Sequence, residues 1–537
     1  MFLVREGVSR RHFLKAGAWG AAGVASARVL SGCAPMPPGE PGGIPFVDEL
    51  WDCGVASGLH GPGANVLWSR FVPGASSAVD VTWEVSEAPD FVTLVASGTA
   101  VADPDRDGCV KVLAGGLRPG TRHWYRFRVG DVTSPIGRTR TPAAPGTTPD
   151  SVRLAAASCQ NYQSGYFSAW ADIATTDLDA VVHLGDYIYE GGSSRGGLRQ
   201  DPVGEAVDLA TYRAKYRLYR SDPQLRAAHA AHAFVPVWDD HELVNNSSRL
   251  TLLADPDRAG AAYRAWFEYQ PVWPIDGSQI YRNLRFGDLV DLSLIDTRQY
   301  RDAEPGDGVG VGGYIVPGGV GPEIYRPGRT ILGVDQRSWL LDSLGAAQGD
   351  GVRWKLLGNQ VMFAPARLLD IDEPSLRALN ADIPKHAGLY LNEDQWDGFQ
   401  VERDTVLEFI RSQRVGNFGV LTGDIHSFWQ APLRADFDDL RSPIVGQEFV
   451  CGSVSSVGFD AAGYDLARSI GDLAKQLKPP FRYVDLTRRG VGVIECTPDR
   501  ATVEFRTTTA TGPASAVRRG SVFDWRAGTS NVILNPG

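Results

Sequence analysis

The chain has 537 residues, of which 43% are hydrophobic, 22% charged and 10% aromatic; this ordinary globular composition excludes intrinsic disorder, coiled coil and collagen. Its 53 Lys and Arg stand against 63 Asp and Glu, a formal charge of −10. That balance argues against a broad electrostatic footprint for nucleic acid, and fits metal cations, or anionic substrates with local help.

The first segment reads as an address. Ser9-Arg10-Arg11-His12-Phe13-Leu14-Lys15 precedes a weakly apolar stretch from Ala16 to Ala27 and then Leu30-Ser31-Gly32-Cys33. Charge, apolar run and cleavage-like site follow in the order of a removable export signal. The arginine pair with Phe-Leu-Lys resembles a twin-arginine signal, and Leu-Ser-Gly-Cys resembles a bacterial lipobox. Residues 1–32 are therefore expected to be a signal peptide handed to the twin-arginine translocation machinery, with the lipobox ending at Cys33. Residues 33–45, rich in Pro and Gly, read as a tether. No later run reaches the length of a spanning helix, so membrane attachment is expected only through lipid on Cys33. The predicted location is the exported face of a bacterial cell envelope.

From 46 to 142 short alternating runs are broken by turn residues, as in Asn65-Val66-Leu67-Trp68-Ser69-Arg70-Phe71, Val79 to Val85 and Trp124 to Val129. Period-two runs at this spacing predict a small all-β, Ig-like sandwich, and residues 143–150 read as a linker. From 151 to 537 buried-type apolar runs end in polar residues and alternate with helical stretches such as Leu209 to Tyr219 and Gln336 to Leu344. The fold class expected is therefore α/β, a layered sheet and helix domain whose ligands gather beyond the carboxyl ends of strands.

Those strand ends carry the chemistry. Val152 to Ala157 runs into Ser158-Cys159-Gln160; Ala180 to Leu184 into Gly185-Asp186-Tyr187-Ile188-Tyr189-Glu190; Phe418 to Leu421 into Thr422-Gly423-Asp424-Ile425-His426. Trp238-Asp239-Asp240-His241-Glu242 adds further carboxylates and an imidazole. Thiol, phenol, carboxylate and imidazole together form a ligand set for a hard, oxidised transition metal such as Fe(III), with oxygen ligands beside it suited to Ca²⁺ or Mg²⁺. Neither a Gly-x-Ser-x-Gly elbow nor a P-loop is present.

The Gly-Asp-x-x-Tyr spacing looks like a metallophosphoesterase motif in its purple-acid-phosphatase form. More closely, the strings around Cys159, Asp186, Asp240 and His426, with Asp296-Thr297-Arg298-Gln299-Tyr300-Arg301, Gln395-Trp396-Asp397-Gly398-Phe399 and Gly452-Ser453-Val454-Ser455-Ser456, resemble the alkaline phosphatase D (PhoD-like) family. Gly54 to Gly58 and Val66 to Arg70 look like that family's N-terminal Ig-like domain. The resemblance implies a metallophosphoesterase-like catalytic domain that hydrolyses phosphomonoesters, and phosphodiesters as well, with Fe(III) and Ca²⁺. Carried over, Cys159, Tyr189 and His426 would bind iron, Asp186 would bridge iron to calcium, and Asp240 and Asp424 would bind calcium. His241 and Arg298 would contact the phosphoryl group of a small phosphate-ester substrate, and Asn245 would bind calcium or phosphate. The chain departs from the family at Leu59-His60 and at Cys451, both away from the proposed ligands.

Two rivals stand beside this reading: a phospholipase D-like phosphodiesterase, and a lipid-anchored protein that binds phosphate or metal without catalysis. Nucleic acid would enter only as a substrate. With Cys33 acylated and Cys159 on iron, Cys53, Cys109, Cys451 and Cys496 remain; bridges Cys53–Cys109 and Cys451–Cys496 are one expectation, free buried thiols the other.

Overall fold

The structure, a computed structural model, describes residues 49–72, 77–192, 197–305, 322–370, 374–380, 388–476 and 481–535. The expected signal, lipobox and tether lie outside the described residues.

The apolar runs form the middle of two sheets. The larger has ten strands, in the order Val532–Asn535, Arg518–Arg526, Arg500–Thr508, Arg489–Cys496, Val152–Ala157, Ala180–Leu184, Ala233–Val237, Val55–Gly61, Ala64–Arg70 and Cys109–Gly115. The second has seven: Arg282–Phe286, Val290–Leu294, Trp354–Asn359, Phe418–Thr422, Ile444–Cys451, Phe428–Arg434 and Tyr483–Asp485. Strands 152–157, 180–184 and 233–237 run parallel in the first sheet, and 290–294, 354–359, 418–422 and 444–451 do so in the second. Parallel strands covered on both faces need near-continuous apolar sequence, and Ala180–Leu184 and Phe418–Thr422 are buried throughout.

The two sheets pack face to face. A Cβ added at Gly358 would lie 3.4 Å from Leu184 Cδ2 and 3.7 Å from Val182 Cγ1 of the opposite sheet. Val182, Leu184, Leu292, Leu294, Leu356 and Leu421 share the core between them. Alternate residues Ile295, Leu357, Phe418 and Val420 face outward, where helices Val334–Gly349 and Gln400–Ser412 cover them with Leu340, Leu344, Val406, Leu407 and Ile410. Outside the larger sheet, His229 of Pro223–Ala231 stacks on Phe234 with ring centroids 3.7 Å apart, and Trp170 of helix Ser168–Thr175 packs against it at a tilt, 5.5 Å away. The expected helix near 209 spans Leu209–Arg220, capped by Asp208, which accepts the Thr211 N–H at 2.8 Å. The molecule is a mixed α/β fold layered helix, sheet, sheet, helix.

The first region adds a five-stranded antiparallel sheet built on Val79–Ser86, Leu94–Ala102 and Arg122–Val129. It encloses Trp51, Leu67, Val81, Val85, Tyr125 and Phe127 against strands 55–61, 64–70 and 109–115. Period-two patterning does not disclose that Val55–Gly61 also joins the ten-stranded sheet, parallel to Ala233–Val237 with Gly58 opposite Phe234. Gly58 permits this: a Cβ there would fall 1.8 Å from Pro271 O.

No helix among the described residues is long and apolar enough to cross a membrane. Cys53, Cys109, Cys159, Cys451 and Cys496 are all free and buried, so the bridges Cys53–Cys109 and Cys451–Cys496 are not formed, and the free-thiol alternative describes the structure.

Candidate metal centre

Both sets of parallel strands end on the same side, so their following loops converge. Ten non-glycine residues among those described have positive φ, and four of them are Cys159 (59°), Asp186 (56°), Asp424 (60°) and His426 (52°). Each such residue costs about 1–2 kcal/mol, so surrounding packing must hold these turns, as is usual where strain aims functional side chains. Two glycines allow the loops to touch. A Cβ on Gly185 would lie 2.4 Å from Asp239 Cβ, and one on Gly423 would lie 2.6 Å from Ser158 Oγ.

One group of donors is thiol and phenol in character. Ligand atoms of Cys159, Asp186 and His426 lie within 4.8 Å of one another. Tyr189 Oη donates to Asp186 Oδ2 at 2.8 Å, accepts from Ser456 Oγ at 2.7 Å and lies 3.1 Å from His426 Nε2. His426 Nδ1 is 2.8 Å from the Val457 carbonyl, which can only accept; the ring proton therefore sits on Nδ1 and the Nε2 lone pair points inward. No Lys or Arg among the described residues pairs with Cys159, Asp186 or Tyr189. Burial, reinforced by the charge of Asp186, pushes the Cys159 thiol and the Tyr189 phenol well above their ordinary ranges, and burial raises Asp186 as well.

The second group is made of carboxylates. Asp239, Asp240 and Asp424 present oxygens within 4.8 Å of one another, and Asp186, Asp240 and His241 form an overlapping set. Here a cation is already built in. Arg298 is fully buried; its Nε donates to Asp239, its Nη1 to Asp394 at 3.0 Å, and its Nη2 lies 3.5 Å from Asp424 and 3.9 Å from Asp240. Burial opposes the charge on Asp240, yet Arg298, His241 and the Asn246 N–H hold it below the ordinary carboxylate range. Burial raises Asp424 to about 7 despite Arg298.

The donor sets fit metal ions. Buried acids without a full complement of counter-charge are costly, and Asp239 Oδ2 is buried with no hydrogen-bond partner. A cation in the first group would displace protons from thiol and phenol, as metal binding does wherever ligands must ionise.

Most residues singled out in the sequence thus meet: Cys159, Asp186, Tyr189 and His426 in one group, Asp240 and Asp424 in the other, His241 between them. Arg298 sits differently from expectation, and Asn245 joins neither group. Arg298 lies behind the carboxylates with every guanidinium nitrogen engaged, so it presents no free fork to a phosphoryl oxygen. Asn245 is exposed at the rim, its backbone N–H donating to Glu190 at 3.1 Å, while neighbouring Asn246 donates its N–H to Asp240 at 2.6 Å.

Several working residues escape a reading of strand ends. Glu190 accepts the His241 Nδ1 proton at 2.6 Å; with Asp240 and Asp186 it outweighs burial and raises the imidazole well above its usual range. Glu242 accepts the N–H groups of Asp186, Tyr187 and Asp239 at 3.0, 2.6 and 2.8 Å, tying two ligand loops together. Gln395 donates to Asp424. Glu190 sits four residues after Asp186, and Gln395 and Ser456 stand inside family strings; adjacency to a ligand motif was the available signal.

Comparison with known proteins identifies the family. The family model described as PhoD-like phosphatase matches residues 154–505, and that of the PhoD-like phosphatase N-terminal domain matches 45–143. Alkaline phosphatase D of Bacillus subtilis (strain 168) is 34% identical over 506 residues, covering 89% of this chain and 81% of that protein. The solved structure of PhoD aligns with a TM-score of 0.80 at 32% identity, covering 92% of this chain and 93% of the other. By these matches the chain, with two clusters of metal-ligand-type side chains at converging strand ends, belongs to the PhoD-like phosphatase family and is a phosphoric ester hydrolase of the alkaline phosphatase D kind.

Proposed function

We propose that the protein is an exported hydrolase of phosphomonoesters and phosphodiesters whose thiol and phenol group holds Fe(III) and whose carboxylate group holds Ca²⁺. The observation that carries the reading is the meeting of Cys159, Tyr189, His426 and Asp186. A phenol and a thiol beside an imidazole suit an oxidised transition ion, and clustered carboxylate oxygens suit calcium. Cys159, Tyr189 and His426 would hold the iron, Asp186 would be shared, and Asp240 and Asp424 would hold calcium. Bound metal ions supply Lewis acidity and neutralise charge on the phosphoryl oxygens.

The chain's own groups do the rest. His241, kept charged by Glu190, donates a proton toward the leaving oxygen. Arg298 positions Asp239 and Asp424 and balances their charge. Asn245, exposed beside His241, is free to meet the phosphoryl group.

The layered core supports a metallophosphoesterase-like catalytic domain over 151–537, and the two-sheet packing of the first region supports an Ig-like sandwich over 46–142, with 143–150 as linker. Residues 1–32 would direct export through the twin-arginine machinery to the cell envelope, with a lipid anchor on Cys33.

Elemental analysis of protein purified without chelator, joined to assays on an aryl monophosphate and a bis-aryl phosphate before and after calcium removal, tests the reading. Stoichiometric iron and calcium-dependent turnover are expected. Zinc in place of iron, or full turnover after calcium removal, would overturn the metal assignment.

A further inference from the structure

Away from the metal groups, a cleft of about 580 Å³ opens beside strand Cys109–Gly115 and helix Pro256–Tyr269, lined among others by Arg106, Lys111, Arg264, Phe267, Glu268 and Trp273. That volume lies within the range of small-molecule pockets. Its charge does not balance. Glu268 is already held by Arg213, through two bonds of 2.6 and 2.7 Å, and by Arg264 at 2.9 Å. Lys111 donates its ammonium to the Phe267 carbonyl and meets no carboxylate among the described residues; Arg106 likewise forms no ion pair among them. One exposed cation, Arg106, and the Lys111 amine therefore line the cleft without a carboxylate partner among the described residues.

Burial pushes the Lys111 ammonium down to about 7, with Arg106 and Arg220 acting in the same direction against Cys109 and Glu268. An anion in the cleft would restore the charged form. The remaining wall is aromatic. Trp273 is 38% exposed and lines the cleft, so its ring offers an open aromatic face to a ligand there. Phe267 lines the same space.

We propose that this cleft is a second ligand site, which takes a small organic anion carried on a flat aromatic body. The ring lies against Trp273 and Phe267, and the anionic group meets Lys111 and Arg106. None of these side chains belongs to either metal group, so the proposal does not rest on the metal assignment.

The test measures acetylation of Lys111 in the full protein by acetic anhydride near neutral pH, read by peptide mass spectrometry against Lys475, whose side chain is 44% exposed. Three probes separate the contributions: 1-naphthoate, the uncharged 1-naphthalenemethanol, and inorganic phosphate, which has no ring. Naphthoate is expected to slow modification of Lys111 at least tenfold relative to Lys475, and the other two less than threefold. Trp273→Ala and Arg106→Ala should each raise the naphthoate concentration needed for half protection at least fivefold. Absence of protection, equal protection by all three probes, or protection unchanged in both variants would overturn the proposal. If Lys111 is shielded from the reagent, calorimetric titration with naphthoate replaces the protection assay, and absence of binding heat then counts against the site.

Discussion

The two donor groups at the strand ends are built from similar acids but balanced differently. Asp239, Asp240 and Asp424 face a buried arginine whose three nitrogens are all engaged. Among the described residues Cys159, Asp186 and Tyr189 have no Lys or Arg against them, only the His241 imidazole beside Asp186, and burial raises each above its ordinary range. Where the chain supplies its own cation, a metal ion adds to an arrangement already partly balanced. Where it supplies no Lys or Arg, the ionised thiol and phenol depend on the metal. The thiol and phenol group should therefore be the more demanding and more tightly held site, and the carboxylate group the more exchangeable.

The largest effect expected from this contrast comes from Cys159→Ala. It removes the soft donor from the group without a built-in cation, and should lower both bound iron and kcat by more than the roughly 10–100-fold that outer partners of a metal site cost. Metal analysis alongside steady-state kinetics checks it; iron retained at full stoichiometry would show that the thiol is not a ligand. Calcium content should fall less than iron, because Asp240 and Asp424 keep Arg298. If both ions leave together, the two groups are one cooperative unit and the contrast fails.

Arg298→Met probes the other side. Removing one partner of a buried charge set typically costs about 3–5 kcal/mol, here because Asp239 would be left buried and uncompensated, whereas Asp394 keeps Arg301 at 2.8 Å. Urea denaturation should show that loss without calcium and a partial recovery with saturating calcium, which would take over part of the balancing charge. A variant as stable as the parent in calcium-free buffer would mean that the carboxylates accept protons at little cost.

The pattern of what could be read beforehand follows from how far each contact reaches. Cys159, Asp186, Tyr189, Asp424 and His426 directly follow apolar runs that make strands, so their convergence follows from strand order alone. Arg298 was visible as a cation near the site, but its direction was not: whether a guanidinium faces substrate or the core depends on Asp394, which arrives from a loop 96 residues away. Glu242 looked like one acid in a charged string, although it spans two loops. The joining of Val55–Gly61 to Ala233–Val237 was equally hidden, because a parallel pairing across so many residues leaves no local period.

Glu242 belongs to neither group and serves both, since its carboxylate accepts N–H groups from the Asp186 and Asp239 loops. Glu242→Gln keeps the shape but turns one oxygen into a donor that faces another donor. A loss of about 1–3 kcal/mol is expected from the unsatisfied N–H, measurable by chemical denaturation. Weaker binding of both metals should accompany it. Weakening of one alone would place Glu242 in that group and sharpen the division between them.

The smallest effect is expected at Ser456, whose hydroxyl donates to the Tyr189 phenol oxygen at 2.7 Å and is the same hydrogen that the Cys159 carbonyl competes for at 2.8 Å. Donation to a phenol oxygen favours its ionised form, so Ser456 lowers the barrier that burial places against deprotonating Tyr189. Ser456→Ala should weaken iron binding about tenfold, at the low end for an outer partner, and leave calcium binding unchanged because no oxygen of the carboxylate group touches that hydroxyl. Competition with a graded series of chelators separates the two ions. An equal shift for calcium would indicate a general loosening of the strand ends, whereas a shift for iron alone ties the hydroxyl to the group that lacks a cation of its own.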